Sequence, residues 1–235
     1  MPRPPGHGPD FEARRQGIID EAAGLFARKG YAASSINDLS RAVGLAKGAL
    51  YYYIGSKENL LIEIQDRVMS PLLARSRQIA GLDVDPLLRM RLLSESLLTT
   101  IFHRLDHIWV YEHDYRDLGG PALQALLTQR STFEQLVSAL LTEAVAQGVL
   151  RDLEPRLGTV QFLNLHNRTY QWVKPEGSWS AAFLSQECCA ILFRGFGAPE
   201  HLLSAVEEQV TAFRHAHPGM SLDPEVRWEP SLVES

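Results

Sequence analysis

Cysteine is nearly absent from this 235-residue chain. The two that occur, Cys188 and Cys189, are adjacent, a poor geometry for a structural bridge and none of the paired spacings that zinc frameworks use. A disulfide-stapled fold is excluded, and a reducing compartment suits the thiols. Long apolar runs are also missing. Stretches such as Ala181–Leu184 and Cys188–Phe193 fall far short of the roughly 18 apolar residues that cross a bilayer, so no membrane partner is expected. Residues 1–10 are rich in proline and glycine and carry no apolar stretch like that of a signal peptide, so the chain is expected to stay in the cytoplasm. No alternating Val/Ile/Thr runs flanked by Asn-Gly or Asp-Gly turns occur, which argues against a sheet. Nor is there a glycine-rich phosphate loop or a nucleophile elbow, and Cys188-Cys189 has no basic neighbour in sequence. No cofactor and no enzymatic activity are expected.

What is present is 45% hydrophobic sequence, enough for an ordinary core, and a net charge of -5 that is unevenly spread. Residues 1–57 hold eight Lys/Arg against five Asp/Glu, net +3, while residues 58–235 hold fifteen against twenty-three, net -8. A small basic head can therefore approach a polyanion while an acidic body stays off it.

Apolar residues recur three and four apart almost throughout, the helical period, so an all-α protein is expected. The first helix runs from about Phe11 to Lys29, with Ile18, Ala22, Leu25 and Phe26 on one stripe, and stops at Gly30. Ser35, with Asp38 three residues on, caps a short helix that ends at Gly44, and another follows over about Ala46 to Tyr53 before Gly55. Ser56 opens a long helix to about Ala80, with a bend expected at Pro71. Asp85 to Asp117 reads as one long or two broken helices, and helices follow over about Ala122 to Gln147, Pro155 to Val173, Ser180 to Gly195 and Pro199 to Ala216. A proline-punctuated acidic tail begins at His217.

Ser35 to Ile54 has the pattern of helix, three-residue turn with glycine, helix, in which the second helix is displayed outward. Leu45 and Leu50 anchor that helix against Ile36, Leu39 and the first helix, leaving Lys47, Gly48, Tyr51 and Tyr52 on its outer side. A major groove admits one such helix, whose N-terminal residues meet base edges while flanking donors hold phosphates. Lys47 sits at that end. Tyr51 and Tyr53 offer phenolic donors, Lys57 opens the following helix, and Ser35 stands at the start of the motif. The DNA-binding candidates are therefore Ser35, Lys47, Gly48, Tyr51, Tyr52, Tyr53 and Lys57. The run Ser35-Ile36-Asn37-Asp38-Leu39, then Gly44 through Leu60 with Tyr51-Tyr52-Tyr53-Ile54-Gly55-Ser56-Lys57, resembles the DNA-binding signature of TetR-family repressors. Tyr51, Tyr53 and Lys57 match that family's tyrosine, later aromatic and lysine. Ile54 stands where phenylalanine is usual and Ala49 where threonine or serine is.

The resemblance implies a three-helix DNA-binding domain over residues 10–57, preceded by a flexible arm at 1–9. An effector-binding and dimerisation domain would follow over 58–216, with a tail at 217–235. It also implies a homodimer on a pseudo-palindromic operator in double-stranded DNA, with Leu163 and Leu192 expected at the subunit interface and the two cysteines as inert buried thiols there. The effector is expected to be small and hydrophobic, with a fatty acid or acyl-coenzyme A favoured by a loose likeness of residues 162–177 to family members answering to such compounds. His103, His107, Trp109, Tyr111, Tyr115, His166, Tyr170 and Trp172 are the bulky, partly polar candidates for the effector pocket. Each is alternatively plain core. His103 and His107, spaced i, i+4, would share a helix face suited to a metal, but no third ligand is defined and no metal site is assigned. The alternatives are a helical enzyme or carrier using the histidine and aromatic pocket, or a metal-responsive regulator.

Overall fold

Capping chemistry sets the first elements. In the computed structural model, which describes residues 9–174, 176–195 and His215, helix α1 (Pro9–Lys29) is followed by α2 (Ile36–Val43) and α3 (Lys47–Ile54). Ser35 and Asp38 form a complete capping box, and Gly44, at φ 67°, takes the left-handed conformation that closes α2. Ile18, Ala22, Phe26, Leu39, Leu50 and Ile54 are buried together as the core of this head. Two arginines of α1 lock its geometry: Arg14 Nη2 donates to Val43 O (3.0 Å) at the end of α2, and Arg15 Nε to Tyr53 O (3.3 Å) near the end of α3. Arg15 also pairs with Glu63 at 2.8 Å on the next helix.

That helix, α4 (Lys57–Ala80), starts at the Ser56 cap and runs unbroken through Pro71. Leu60, Leu61, Ile64, Val68, Leu72 and Leu73 bury its stripe, against α1 at one end and the body helices along the rest. The body continues with α5 (Pro86–His103), α6 (Leu105–His113), a 3₁₀ turn at Tyr115–Asp117, α7 (Gly120–Ala146), α8 (Pro155–Asn167), a second 3₁₀ turn at Arg168–Gln171 and α9 (Ala181–Arg194). Among the described residues there is no strand, and no helix is long and apolar enough to cross a membrane.

The stretch 85–117 is two helices, divided at Arg104, whose φ of -140° and ψ of 42° leave the helical region. The break turns α6 onto α1. It also separates His103 from His107, correcting the expectation that they share one helix face. Among the described residues no group of three His, Cys, Asp or Glu is placed to hold a metal ion. The helix expected over Pro155 to Val173 stops as α-helix at Asn167, and residues 168–171 tighten into the 3₁₀ turn. Residues 1–192 form one unit and 193–235 another, of which 193–195 and His215 are described. The expected helix Pro199 to Ala216, apart from His215, and the acidic tail lie outside the described residues, as do positions 1–8 of the arm.

Candidate DNA-binding face and effector cavity

Helix α3 is anchored from one side and exposed on the other, where Tyr52 meets Phe11 edge-on at 5.4 Å. Leu50 is wholly buried and Ile54 nearly so, whereas Lys47, Gly48, Ala49, Tyr51 and Tyr52 are exposed. A Cβ built on Gly48 would meet nothing within 4 Å, so packing does not demand glycine there, and its absence of a side chain leaves room for a close backbone approach. The helix start differs from its neighbours. Ser35 and Ser56 cap α2 and α4 with side-chain oxygens, but the N-cap of α3 is Ala46, which offers none. The first-turn amides of α3 are thereby left to an outside acceptor such as a phosphate.

Three of the expected contacts are already engaged. The Ser35 hydroxyl donates to Asp38 Oδ2 (2.7 Å) while accepting from Asp38 N (3.1 Å), and Ser35 N donates to the same carboxylate (3.0 Å). Asp38 also receives Lys29 and Arg41, each at 2.6 Å, and Lys29, followed by the Ser35 amide and hydroxyl, holds its carboxyl far below the usual range. Ser35 therefore caps rather than reaches outward. Tyr53 stacks on Phe11 with ring centroids 4.8 Å apart, which fixes the start of α1 over the end of α3. Lys57 turns back. Its Nζ donates to Tyr31 O (2.5 Å) and lies 4.0 Å from the centre of the Tyr31 ring, and burial lowers its pKa. Tyr31 N in turn donates to Asp114 Oδ2 (3.3 Å) at the end of α6, whose partial burial raises its own pKa. Lys57, Tyr31 and Asp114 thus tie the α3–α4 junction to the body.

This geometry separates the two lysines by measurement. Lys47→Ala is expected to weaken operator binding by about 1–3 kcal/mol at particular base pairs and to lower the salt slope by about one unit per half-site. Lys57→Ala should instead destabilise the head by about 1–3 kcal/mol through loss of a charge-assisted hydrogen bond, with a smaller change in salt slope than Lys47→Ala gives. Operator titrations across a salt series, with urea melts of both variants, check this. A full-unit drop in slope for Lys57→Ala would restore it as a phosphate clamp.

The body holds a cavity of about 120 Å³. Val68, Met69 and Leu72 of α4 form one wall, Leu97 and Ile101 of α5 and Ile108 of α6 another, and Phe133 and Leu163 close it from α7 and α8. Its polar groups are Tyr111, Glu112, Arg130, Glu134 and Asn167. Arg130 is fixed with its guanidinium carbon 4.2 Å from the centre of the Tyr111 ring and 4.3 Å from that of Tyr115, while Nη2 donates to Tyr111 O (2.7 Å). Burial pushes the Tyr111 phenol upward.

The eight expected pocket residues do not converge on this cavity, which is a correction: only Tyr111 among them lines it, and Tyr115 touches it through Arg130. His103 and His107 line a separate open groove of about 630 Å³ at the α5–α6 break, walled by Asp20, Arg104 and Asp106. His103 Nδ1 donates to Thr99 O (2.8 Å). His107 is buried beside Asp20, 3.2 Å away without hydrogen-bond geometry, and burial brings its pKa down to about 4. Trp109 stacks on His113 (4.4 Å) and meets Tyr170 edge-on (5.6 Å), while Trp172 is half exposed against Trp179.

His166 is core. Its Nδ1 donates to Phe162 O (2.6 Å), so its Nε2 accepts the Ser94 hydroxyl (2.6 Å), and Ser185 Oγ donates to Ser94 (2.7 Å). Burial lowers the His166 pKa to about 4. Burial also raises both cysteine thiols, Cys188 to about 11, so they are inert. Arg130, Glu134 and Asn167 carry no signal in the sequence, because polar positions on an amphipathic helix ordinarily read as solvent-facing.

A basic three-helix head displaying one helix, joined through a long shared helix to a body with its own cavity, defines a helix-turn-helix transcriptional regulator of the ligand-responsive kind. Two family models match the chain: "Bacterial regulatory proteins, tetR family" over residues 18–64, and "Tetracyclin repressor-like, C-terminal domain" over 83–196. The HTH-type transcriptional repressor KstR2 of Rhodococcus jostii is 26% identical over 194 residues, covering 80% of this chain and 93% of that protein. A TetR/AcrR-family regulator from Thermobifida fusca is 30% identical with a TM-score of 0.59, over 78% of this chain and 98% of that one. AibR, solved in complex with isovaleryl coenzyme A and operator DNA, shares the fold at 22% identity and a TM-score of 0.68, over 77% and 98% of the two chains. The chain belongs to the TetR family of bacterial transcriptional regulators.

Proposed function

We propose that this regulator is a cytoplasmic, non-enzymatic repressor that binds a pseudo-palindromic operator as a homodimer and is released when a small hydrophobic effector occupies the body cavity. The observation that carries the reading is the outward face of α3, with Lys47, Gly48, Tyr51 and Tyr52 exposed over a buried Leu50 and an uncapped helix start. Residues 10–57 act as the reading head and 58–216 as the sensing and pairing body. Two heads on successive major-groove faces stand roughly 34 Å apart, so one two-fold operator is read by two copies of α3.

The cavity has mechanical access to the head by two routes. One is α4, whose Val68, Met69 and Leu72 line the cavity while its first residue, Lys57, holds the α1–α2 turn. The other runs from Arg130 and Tyr115 to the neighbouring Asp114 and so to Tyr31. A ligand that spreads α4 from α6 acts on both. A fatty acyl group, free or as a coenzyme A thioester, suits the apolar walls, and AibR's isovaleryl coenzyme A lends the class support from a protein of the same fold.

Effector control requires reciprocity. A ligand that prefers the released conformation by about 1–3 kcal/mol lowers operator affinity about 5-fold to 150-fold, and the operator must weaken the ligand by the same factor. Titrating acyl-coenzyme A thioesters and free acids into the protein and into its operator complex tests this. Identical ligand affinity in both would rule out effector control from the cavity.

A further inference from the structure

The start of α1 reaches the exposed side of α3 through one ring. Phe11 meets Tyr52 edge-on (ring centroids 5.4 Å apart, planes at 82°) and stacks on Tyr53 (4.8 Å, 21°), and Tyr52 meets Tyr53 edge-on in turn (5.4 Å, 75°). Each ring of this triangle restrains the other two, in the stacked and T-shaped geometries that aromatic pairs favour. Framework alone does not account for the arrangement. Phe11 is only half-buried, whereas Ile18, Phe26, Leu39, Leu50 and Ile54 are buried as the core of the head. The helices of the head are already fixed to one another by Arg14 on Val43 O and by Arg15 on Tyr53 O and Glu63.

What the triangle adds lies on the outer face. Gly48 and Tyr52 are spaced i, i+4 and so share one line of α3. A helical side chain leans over the turn N-terminal to its own, so a tyrosine left to the helix alone would lie over Gly48. Yet a Cβ built on Gly48 meets nothing within 4 Å, so the Tyr52 ring leaves that space open. Its contacts with Phe11 and Tyr53 restrain it there. Resting on the reading of α3 as the operator-reading helix, we propose that Phe11 is a positioning residue for operator recognition. It holds the Tyr52 ring beside an open notch at Gly48, where the α3 backbone can come close to the groove. Phe11 acts through Tyr52 and carries no charge, so it affects how well a sequence fits and not how many phosphates are neutralised.

The test is titration of the full-length protein with its operator duplex and with a scrambled duplex of the same length across a salt series, for wild type, Phe11→Leu, Phe11→Tyr, Tyr52→Ala and the Phe11→Leu/Tyr52→Ala double variant. Urea melts of each accompany it. Phe11→Leu is expected to lose about 2-fold to 10-fold in operator affinity per half-site, the ordering cost of one side chain, and so about 4-fold to 100-fold over two. Its salt slope and its affinity for the scrambled duplex should stay those of wild type. Phe11→Tyr, which keeps the ring, should stay within about 2-fold of wild type. In the Tyr52→Ala background Phe11→Leu should change operator affinity by less than about 2-fold, because the ring it positions is gone. The proposal is overturned if Phe11→Leu costs as much in that background as in wild type, or if Phe11→Tyr loses as much as Phe11→Leu. It is also overturned if both duplexes weaken together with a lower salt slope, which would make Phe11 a framework residue only. Phe11→Leu at wild-type operator affinity while Lys47→Ala is weakened sinks the proposal and leaves the reading of α3 standing. Both variants at wild-type affinity sink that reading as well.

Discussion

Val160→Asp combined with Phe183→Asp is expected to turn the dimer into a monomer and to lower operator affinity by about 10²-fold to 10⁴-fold, the gain that linking two half-site contacts supplies. The positions follow from exposure. Leu157 and Val160 on α8 and Phe183 on α9 are large apolar side chains left 56%, 46% and 44% accessible in the single chain, as a face awaiting a partner would be. Leu163 and Leu192, the interface positions that the family resemblance implies, are poorer choices: Leu163 lines the cavity and Leu192 is half-buried. A carboxylate at Val160 or Phe183 costs little in the monomer, where the site is already wet, but has no partner across a two-fold interface. Sedimentation and operator titration of one preparation give both numbers. A variant that sediments as a monomer yet keeps full operator affinity would refute pairing through this face.

How far the sequence could be read depended on whether a local rule stood alone or competed with tertiary packing. Ser35, Asp38 and Gly44 announce α2 because a capping box and a left-handed glycine are nearest-neighbour chemistry, and both stand in the structure as expected. The outward face of α3 was legible for the same reason. A break within 85–117 was one of two readings, but its position at Arg104 was not legible, since neither glycine nor proline marks it, and beyond it α6 packs on α1. That break displaced His107 from His103. Trp109 and Trp172 lie partly exposed and His166 in the core because each side chain's helix phase depends on packing partners that the sequence alone does not show. Lys57 looked like a phosphate ligand from its place at a helix start, yet Tyr31, distant in sequence, supplies both a carbonyl and a ring for its ammonium.

Acid should destabilise the regulator steeply, and the cause is its two buried neutral histidines. Burial brings His107 and His166 each down to about 4 from the ordinary 6.5. The unfolded chain therefore binds a proton at each position well before the folded chain does. Their contribution to stability is fully present above about pH 6.5 and is lost as the pH falls towards 4, at about 1.4 kcal/mol per pH unit for each, or about 3 kcal/mol apiece. Against a total of about 5–15 kcal/mol for a typical domain, the pair is enough to bring the fold near its midpoint. The two act at different places. Protonating His166 leaves a charge among Ser94, Ser185 and the Phe162 carbonyl, where α5, α8 and α9 meet, and takes away the lone pair that receives the Ser94 hydroxyl. At His107 the new charge faces Asp20 but also Arg104 and Arg67, so the carboxylate offsets only part of the cost of burial. Urea unfolding from pH 7.5 to 4.5 should show the decline, and His166→Gln, which retains a polar group but has no proton site in this range, should flatten it by about half. An acid limb of unchanged slope in that variant would place the titrating group elsewhere.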